Sequence, residues 1–486
     1  MEKLYDLVAT NDPQKEGLYI KAISTAVTPA KGDVLDFSTY FNSFHTVKWK
    51  EYTTLEKVQL KLSLKGYFKV SFFEISPGGT CLLKEETTGN RDFSHTFELT
   101  DLHENVLGFT LEALDEDCRY LGGAWYGEFS RWEEKKIGIS ITTFRREEYV
   151  KKTMSTLSHF SEDHPWLKTL VVDNGSTLPE EESPYLRVIH NRNYGGSGGF
   201  TKGIMEYMDE GSVDYILLMD DDINLEPSAI ERTYSLLCGM KDKYKDSFLA
   251  GAMLSMEKPW FQHENTAYWD KIVSKVCFHG LDLNKPENLA INGIRPRHPN
   301  DYAGWWYCAI PAHRVKEIGL PLPFFIKSDD MEYGIRNTRP VLCMNGIGVW
   351  HEVFEKKLNL VMRFFSDRNT FILNHYANGC GRITLLVSIL ARIAKRCIHG
   401  NWDNLAMLYV ALTEYEKGFD RITGESADNY FKHMQDRGKH ISKWQICLLP
   451  GAVISTILHY NKNHKTYNEF RRKMRNFDFW NGYLKK

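Results

Sequence analysis

Tyr215-Ile216-Leu217-Leu218-Met219-Asp220-Asp221-Asp222 runs from an apolar stretch straight into three carboxylates. The apolar part reads as a buried strand. Unpaired carboxylates repel and are costly to desolvate, so a cluster at a strand end awaits a cation or a ligand. Alternate strand residues share a face, so Asp220 and Asp222 can point the same way while Asp221 points elsewhere. Two converging oxygen ligands, with room left for phosphate oxygens, suit Mg²⁺ or Mn²⁺. The plainer alternative is a solvated acidic turn that caps the next helix.

The flanks build a nucleotide site around this strand. Upstream, Ile137 to Phe144 reads as a buried strand, followed by a helix pattern through Val150, Met154, Leu157 and Phe160. Leu167 to Val172 is a second strand, ending in Asp173-Asn174-Gly175-Ser176. Leu186 to His190 is a third, leading into Asn193-Tyr194-Gly195-Gly196-Ser197-Gly198-Gly199 and another helix. Strands alternating with helices predict an α/β fold with a parallel sheet. Ligands of such sheets bind beyond the carboxyl ends of the strands, where Thr143, Asp173 and Asp220 fall.

The chain of 486 residues is long enough for two or three domains. Residues 1–130 carry short alternating runs such as Val58 to Leu64 and Tyr67 to Phe73, separated by Pro77-Gly78-Gly79 and Gly89-Asn90, the pattern of a β-sandwich. Residues 131–370 hold the strands and helices above, and residues 371–486 read as helical. Lys plus Arg is 61 against 63 for Asp plus Glu, so no nucleic-acid partner is expected. Nine scattered cysteines without Cys-x-x-Cys spacing argue for reduced thiols, not a disulfide framework or a zinc site. The N-terminus has no apolar leader core, and the apolar runs Ile383 to Ala394 and Ile446 to Leu458 are too short or too interrupted to span a bilayer. A cytoplasmic protein is expected. The basic end of the first run could meet the inner face of the cell membrane, or the helix could serve a core or a homo-oligomer interface.

Taken together, the strand ending in Thr142-Thr143-Phe144-Arg145-Arg146, the one ending in Val172-Asp173-Asn174-Gly175-Ser176 and the aspartate strand resemble the inverting GT-A glycosyltransferases of family two. More narrowly, Asn193 to Gly199, Gly304-Trp305-Trp306-Tyr307-Cys308, Pro321 to Lys327, Ser328-Asp329-Asp330-Met331-Glu332 and Val349-Trp350-His351 are similar to galactofuranosyltransferases, the mycobacterial polymerase of cell-wall galactan among them. The resemblance covers Ile137 to Asn369, roughly half the chain. It implies a Rossmann-like GT-A catalytic domain between the N-terminal β-sandwich and the C-terminal helices. It also implies a UDP-galactofuranose donor and a glycan or polyprenyl-diphosphate-linked acceptor in surface polysaccharide synthesis. Another UDP- or dTDP-sugar, or a catalytically dead glycan-binding scaffold, are the competing readings.

The resemblance also assigns roles. Asp220, Asp222 and His351 hold the metal, and the nitrogen ligand tilts preference toward Mn²⁺. Phe144, Arg146, Asp173, Asn193, Asp220 and Asp221 contact the nucleotide, Asp173 through the uracil imide; capping of its own turn is the alternative for Asp173. Asp330 is the general base, with Phe324-Phe325-Ile326 as an apolar wall that raises its pKa, and Asp329 orients hydroxyls. Inversion of an α-linked donor then gives a β-glycoside. Trp305 and Trp306, adjacent on a strand, cannot both face one core, so at least one is expected to line the sugar cleft. His263-Glu264 and Trp269 are candidates on the acceptor side.

Overall fold

Every second residue of Leu55–Lys65 turns inward: Val58, Leu60, Leu62 and Leu64 are buried while Lys61, Ser63 and Lys65 face solvent. That alternation builds the first of two antiparallel sheets, in the order Glu2–Asp6, Arg119–Phe129, Leu55–Lys65, Phe93–Glu98. The second runs Val34–Asp36, Val106–Ala113, Phe68–Ser76, Gly79–Thr87. Aromatic pairs join them face to face, Phe72 against Phe97 and Phe109 against Trp125. The arrangement is a β-sandwich. These contacts come from a computed structural model, which describes residues 1–21, 27–352 and 359–485.

Leu186–His190, Leu167–Asp173, Ile137–Thr143 and Tyr215–Asp220 lie side by side and parallel at the centre of an eight-stranded sheet. Tyr215 to Met219 are all buried, as a strand covered on both faces must be. The sheet is mixed, not purely parallel as the sequence predicts, because Cys308–Pro311 runs antiparallel to the aspartate strand. A smaller sheet grows from the turn after Asp222. Ile223–Leu225 pairs antiparallel with Gly348–His351, and Ile223 lies opposite His351. From Leu360 to Tyr483 the described elements are all helices, and the first, Leu360–Leu373, runs across residue 370. This is a GT-A α/β fold with a β-sandwich before it and helices after it. The described cysteines are all free thiols.

Two glycines within the helix Gly195–Glu210 have a packing purpose. A Cβ on Gly199 would come within 2.2 Å of Thr142 Cγ2, and one on Gly203 within 1.9 Å of Ser140 Oγ. They let the helix lie close on the strand Ile137–Thr143. Alanine is the better helix former by about 1 kcal/mol, yet overpacking of this contact should outweigh that gain. Gly203→Ala is expected to destabilise the protein by about 1–3 kcal/mol. Chemical denaturation of Gly203→Ala with and without Ser140→Gly would check it, with the second change restoring most of the loss.

Candidate active site

Strand register places the acidic residues. Thr142 pairs with Asp220 and Thr143 with Asp173, so these strand ends open on one edge of the sheet. Asp221 turns inward, accepting from Thr143 Oγ1 at 2.7 Å and from Arg146 at 3.5 Å. Asp220 and Asp222 turn the other way. His351 Nε2 lies 3.6 Å from Asp220 Oδ2 and 3.1 Å from Asp222 Oδ1. One ligand atom from each of Asp220, Asp222 and His351 falls within 4.8 Å of the others. Two carboxylates and an imidazole at that spacing fit a divalent ion such as Mn²⁺ or Mg²⁺.

The charges of this cluster balance locally. Arg146, at the start of the helix Glu147–Glu162, also donates to Asp222 Oδ2. Burial raises the Asp221 carboxyl to about 6, against the opposing pull of Thr143 and Arg146. Burial pulls the His351 imidazole down, but hydrogen bonds and charge from Asp220 and Asp222 outweigh it and hold its pKa at about 9. His351 is therefore a cation at neutral pH while no metal ion is bound.

Across the cleft, Asp329 and Asp330 open the helix Asp329–Asn337. Asp330 Oδ1 accepts from the Met331 N–H at 2.8 Å. Burial pushes both carboxyls well above the ordinary range. The charge of Asp330 adds to this for Asp329, and that of Asp220 adds to it for Asp330. Glu264, at the end of the strand Phe261–Glu264, belongs to the same group: burial and then the charge of Asp330 raise it to about 8. It is a proton donor at neutral pH. Lys327 acts on all three in the opposite sense.

The loop that presents this pair is strained. Phe325, Lys327 and Ser328 have φ of 73°, 67° and 68°. Left-handed backbone at non-glycine residues costs about 1–3 kcal/mol each and persists only where the surroundings enforce it. Here buried Asn369 Nδ2 donates to the carbonyls of Ile326 at 2.9 Å and Lys327 at 2.8 Å. Buried Arg368 donates to Phe324 O at 3.0 Å, and Ser197 N–H to Phe325 O at 3.2 Å. The sequence gives no local sign of this bracing, because Arg368 and Asn369 lie over forty residues downstream and Ser197 lies far upstream.

Several assigned residues are placed differently from expectation. Asp173 is fully buried, and its carboxylate accepts from the N–H groups of Gly175, Thr177 and Leu178 at 2.8, 2.6 and 2.8 Å. It caps its own turn. Asn193 is engaged with Asp428 at 3.1 Å and with the Gly195 N–H at 3.1 Å. Phe144 is exposed beside the Arg145 guanidinium. Trp305 and Trp306 lie on a turn, not a strand, and both are buried. Trp305 packs with Phe200 and Tyr333, whereas Trp306 enters a different core and donates to Gly251 O at 2.9 Å. Both adjacent tryptophans are buried because two cores meet at this turn. Trp269 is buried with Ile335 and Leu373. His263 turns its ring to His279, and Glu264, on the opposite strand face, is the one that reaches the aspartate pair.

Because the His351 proton must leave before its nitrogen can bind an ion, cation affinity should rise with pH. The raised pKa sets the window: below about 9 each pH unit should tighten Mn²⁺ binding up to about tenfold, levelling above it. Calorimetry between pH 6.5 and 8.5 would check this. Affinity that does not change with pH in the native protein would remove His351 from the ligand set, and Asp222→Ala should weaken binding at every pH.

Comparison with known proteins agrees with this geometry. Residues 3–127 match the family model "Galactofuranosyltransferase 2 N-terminal", and residues 139–291 match "Glycosyl transferase family 2". Galactofuranosyltransferase GlfT2 of Mycolicibacterium smegmatis is 24% identical over 454 residues, covering 86% of this chain and 69% of the relative. GlfT2 of Mycobacterium tuberculosis is 26% identical over 379 residues, covering 70% of this chain and 58% of the relative. Among solved structures, S. aureus TarS aligns at a TM-score of 0.37 and 11% identity over 58% of this chain and 48% of that one, too distant to carry an argument. The aspartate strand thus lies in a region matching glycosyl transferase family 2, preceded by a region matching the galactofuranosyltransferase 2 N-terminal model.

Proposed function

We propose that this chain is a metal-dependent, inverting galactofuranosyltransferase that moves galactofuranose from UDP-galactofuranose to a hydroxyl of a glycan or lipid-linked glycan. One observation carries the reading: the Asp220–Asp222–His351 cluster lies near the aspartate pair, buried Asp329 and half-buried Asp330, close enough for the Asp220 charge to act on Asp330. Held by those three residues, Mn²⁺ or Mg²⁺ would supply positive charge to the diphosphate of the departing UDP. Arg146, loosened from Asp222, is within reach of the same phosphates. Asp330 takes the proton of the acceptor hydroxyl, whose oxygen attacks the anomeric carbon on the face opposite UDP. The bond from that carbon to the phosphate oxygen breaks, and the configuration inverts. A carboxyl raised above its usual range is a suitable base near neutral pH. Asp329 and protonated Glu264 offer an acceptor and a donor to the exocyclic diol of a furanose. Asp173 and Asn193 serve the nucleoside indirectly, by fixing the loops around it.

A transferase for another UDP- or dTDP-sugar uses the same nucleotide end, and a dead scaffold needs none of these carboxyls. Side-by-side assays with UDP-galactofuranose and UDP-galactopyranose decide the donor. Turnover of the furanose donor should exceed the other by orders of magnitude, since a site built for hydroxyls leaves polar groups unpaired with the wrong sugar. Equal or greater turnover of the pyranose would end the galactofuranose assignment. Asp330→Asn should lower transfer about 10²–10⁴-fold while leaving UDP affinity within a few-fold. In the native protein the acid limb of the rate should lie near neutrality, because Asp330 must lose a proton whose pKa burial has raised.

We further propose that the protein works at the inner face of a membrane. Helices Arg382–Ile398 and Gln445–Leu458 pack together and expose an apolar stripe through Ile383, Val387, Leu390, Trp444, Ile454 and Leu458. Residues 379–402 and 441–468 contain no Asp or Glu, while Lys395, Lys443 and Lys462 flank the stripe. An apolar face ringed by basic and Trp side chains suits the surface of an anionic bilayer. No described helix is long and apolar enough to cross one. Co-sedimentation with vesicles containing anionic lipid should capture the native protein, and Ile383→Glu with Leu458→Glu should abolish capture without changing donor hydrolysis. Capture unaffected by these changes would reject the face.

A further inference from the structure

The helix Asp329–Asn337 has a second end, and the chemistry there is unlike that of the cleft. Arg336, Arg471, Arg472 and Arg475 line a cavity of about 410 Å³ between its last turn and the helix Tyr460–Met474, with Asn378 and Asn468. Arg336 lies about 9 Å along the axis from Asp330, and none of the aspartates, His351 or Glu264 lines the cavity.

Its charge is not balanced from within. Glu332 is fully buried, and its carboxylate is taken on both oxygens, by Arg336 at 2.7 Å and by Arg471 at 2.8 Å. Arg336 also donates to the carbonyls of Ile318 at 2.8 Å and Leu320 at 2.9 Å. Its side chain is only 5% exposed, and its Nε has no hydrogen-bond partner. Among the described residues neither Arg472 nor Arg475 has a carboxylate partner. Arg471 lies flat over the Tyr376 ring at 4.4 Å, which fixes the direction of its fork. Four guanidinium groups thus surround one cavity with a single carboxylate among them. One further carboxylate would leave the excess uncompensated. A multiply charged phosphate matches both the charge and the planar forks.

We propose that this cavity is a binding site for a diphosphate group, separate from the sugar-nucleotide site. Arg472 and Arg475 are its recognition residues, and Arg471 and Arg336, held through Glu332, form its floor. The diphosphate could be a free anion or the headgroup of a membrane lipid. The site does not depend on the sugar assigned to the donor.

The test is calorimetric titration of the full chain with inorganic pyrophosphate in EDTA, with sulfate at equal ionic strength as the comparison. The native protein should bind pyrophosphate saturably and more tightly than sulfate. An Arg472→Gln/Arg475→Gln variant should bind it about tenfold or more weakly. Arg472 is exposed on the helix and Arg475 is half-buried just past its end, and an unchanged thermal midpoint without ligand would show that the fold is kept. Vesicles carrying a diphosphate-terminated lipid should compete with pyrophosphate if the headgroup is the source, and vesicles of the same charge without it should not. Absence of competition would assign the site to the free anion. Equal binding by the native and variant proteins, or no preference over sulfate, would overturn the proposal. Donor hydrolysis, measured separately, should be the same in both proteins, so failure here and failure of the transferase reading can be told apart.

Discussion

Three adjacent carboxylates at the end of a buried strand can be kept only if positive charge reaches them from outside the strand. Burying an ionised carboxylate without a partner is costly, so the group either pairs or takes up a proton. Asp221 does some of both, with a raised pKa and a hydrogen bond from Thr143. Asp220 and Asp222 are served by His351, and Asp222 by Arg146 as well. Neither cation is a neighbour in sequence. Arg146 arrives because its strand is paired with the aspartate strand, and His351 because Gly348–His351 pairs with the three residues after Asp222. The large sheet and the small sheet are thus tied together at the point where their charges must cancel.

The other wall of the cleft has a conformational constraint in place of an electrostatic one. Three left-handed residues within four positions would not persist in an isolated loop. Carbonyls turned by that conformation meet Asn369 and Arg368, and the Phe325 carbonyl approaches so near to Gly195 that a Cβ there would lie within 2.2 Å. The C-terminal helices complete the support, with Trp480 donating to Pro321 O at 3.0 Å and Arg471 to Glu332. Those helices therefore shape the catalytic wall from behind, in addition to offering an outer surface.

Local pattern was enough for the strands Ile137–Thr143, Leu167–Asp173, Leu186–His190 and Tyr215–Asp220, and for the opposite facing of Asp221 within the aspartate run. Periodicity of two and of 3.6 is a short-range property and survives in the sequence. Which residues meet across the fold is not short-range. The metal triad needed the register of Gly348–His351, and resemblance, not spacing, supplied His351. The tryptophan argument assumed one core on one side of a strand, and the turn at Trp305-Trp306 divides two. Glu264 was named beside His263 without a role of its own, since only burial and the nearby Asp330 charge distinguish it from any strand-end glutamate.

The two walls interact through charge. Burial is the main reason that Asp330 holds its proton, and the Asp220 carboxylate is a further one. Asp330 in turn raises Asp329 and Glu264, so a proton is shared among carboxyls that no single pKa describes. Lys327, on the strained loop, pulls all three the other way. A change in charge at Asp220 must therefore be felt at Asp330: whatever neutralises the first lowers the proton affinity of the second. The sheet edge at Asp220 and the helix start at Asp329-Asp330 are separate elements of the fold. Their electrostatics are still coupled: with the Asp220 charge neutralised, more of Asp330 is ionised at a given pH, and the ionised carboxylate is a weaker base.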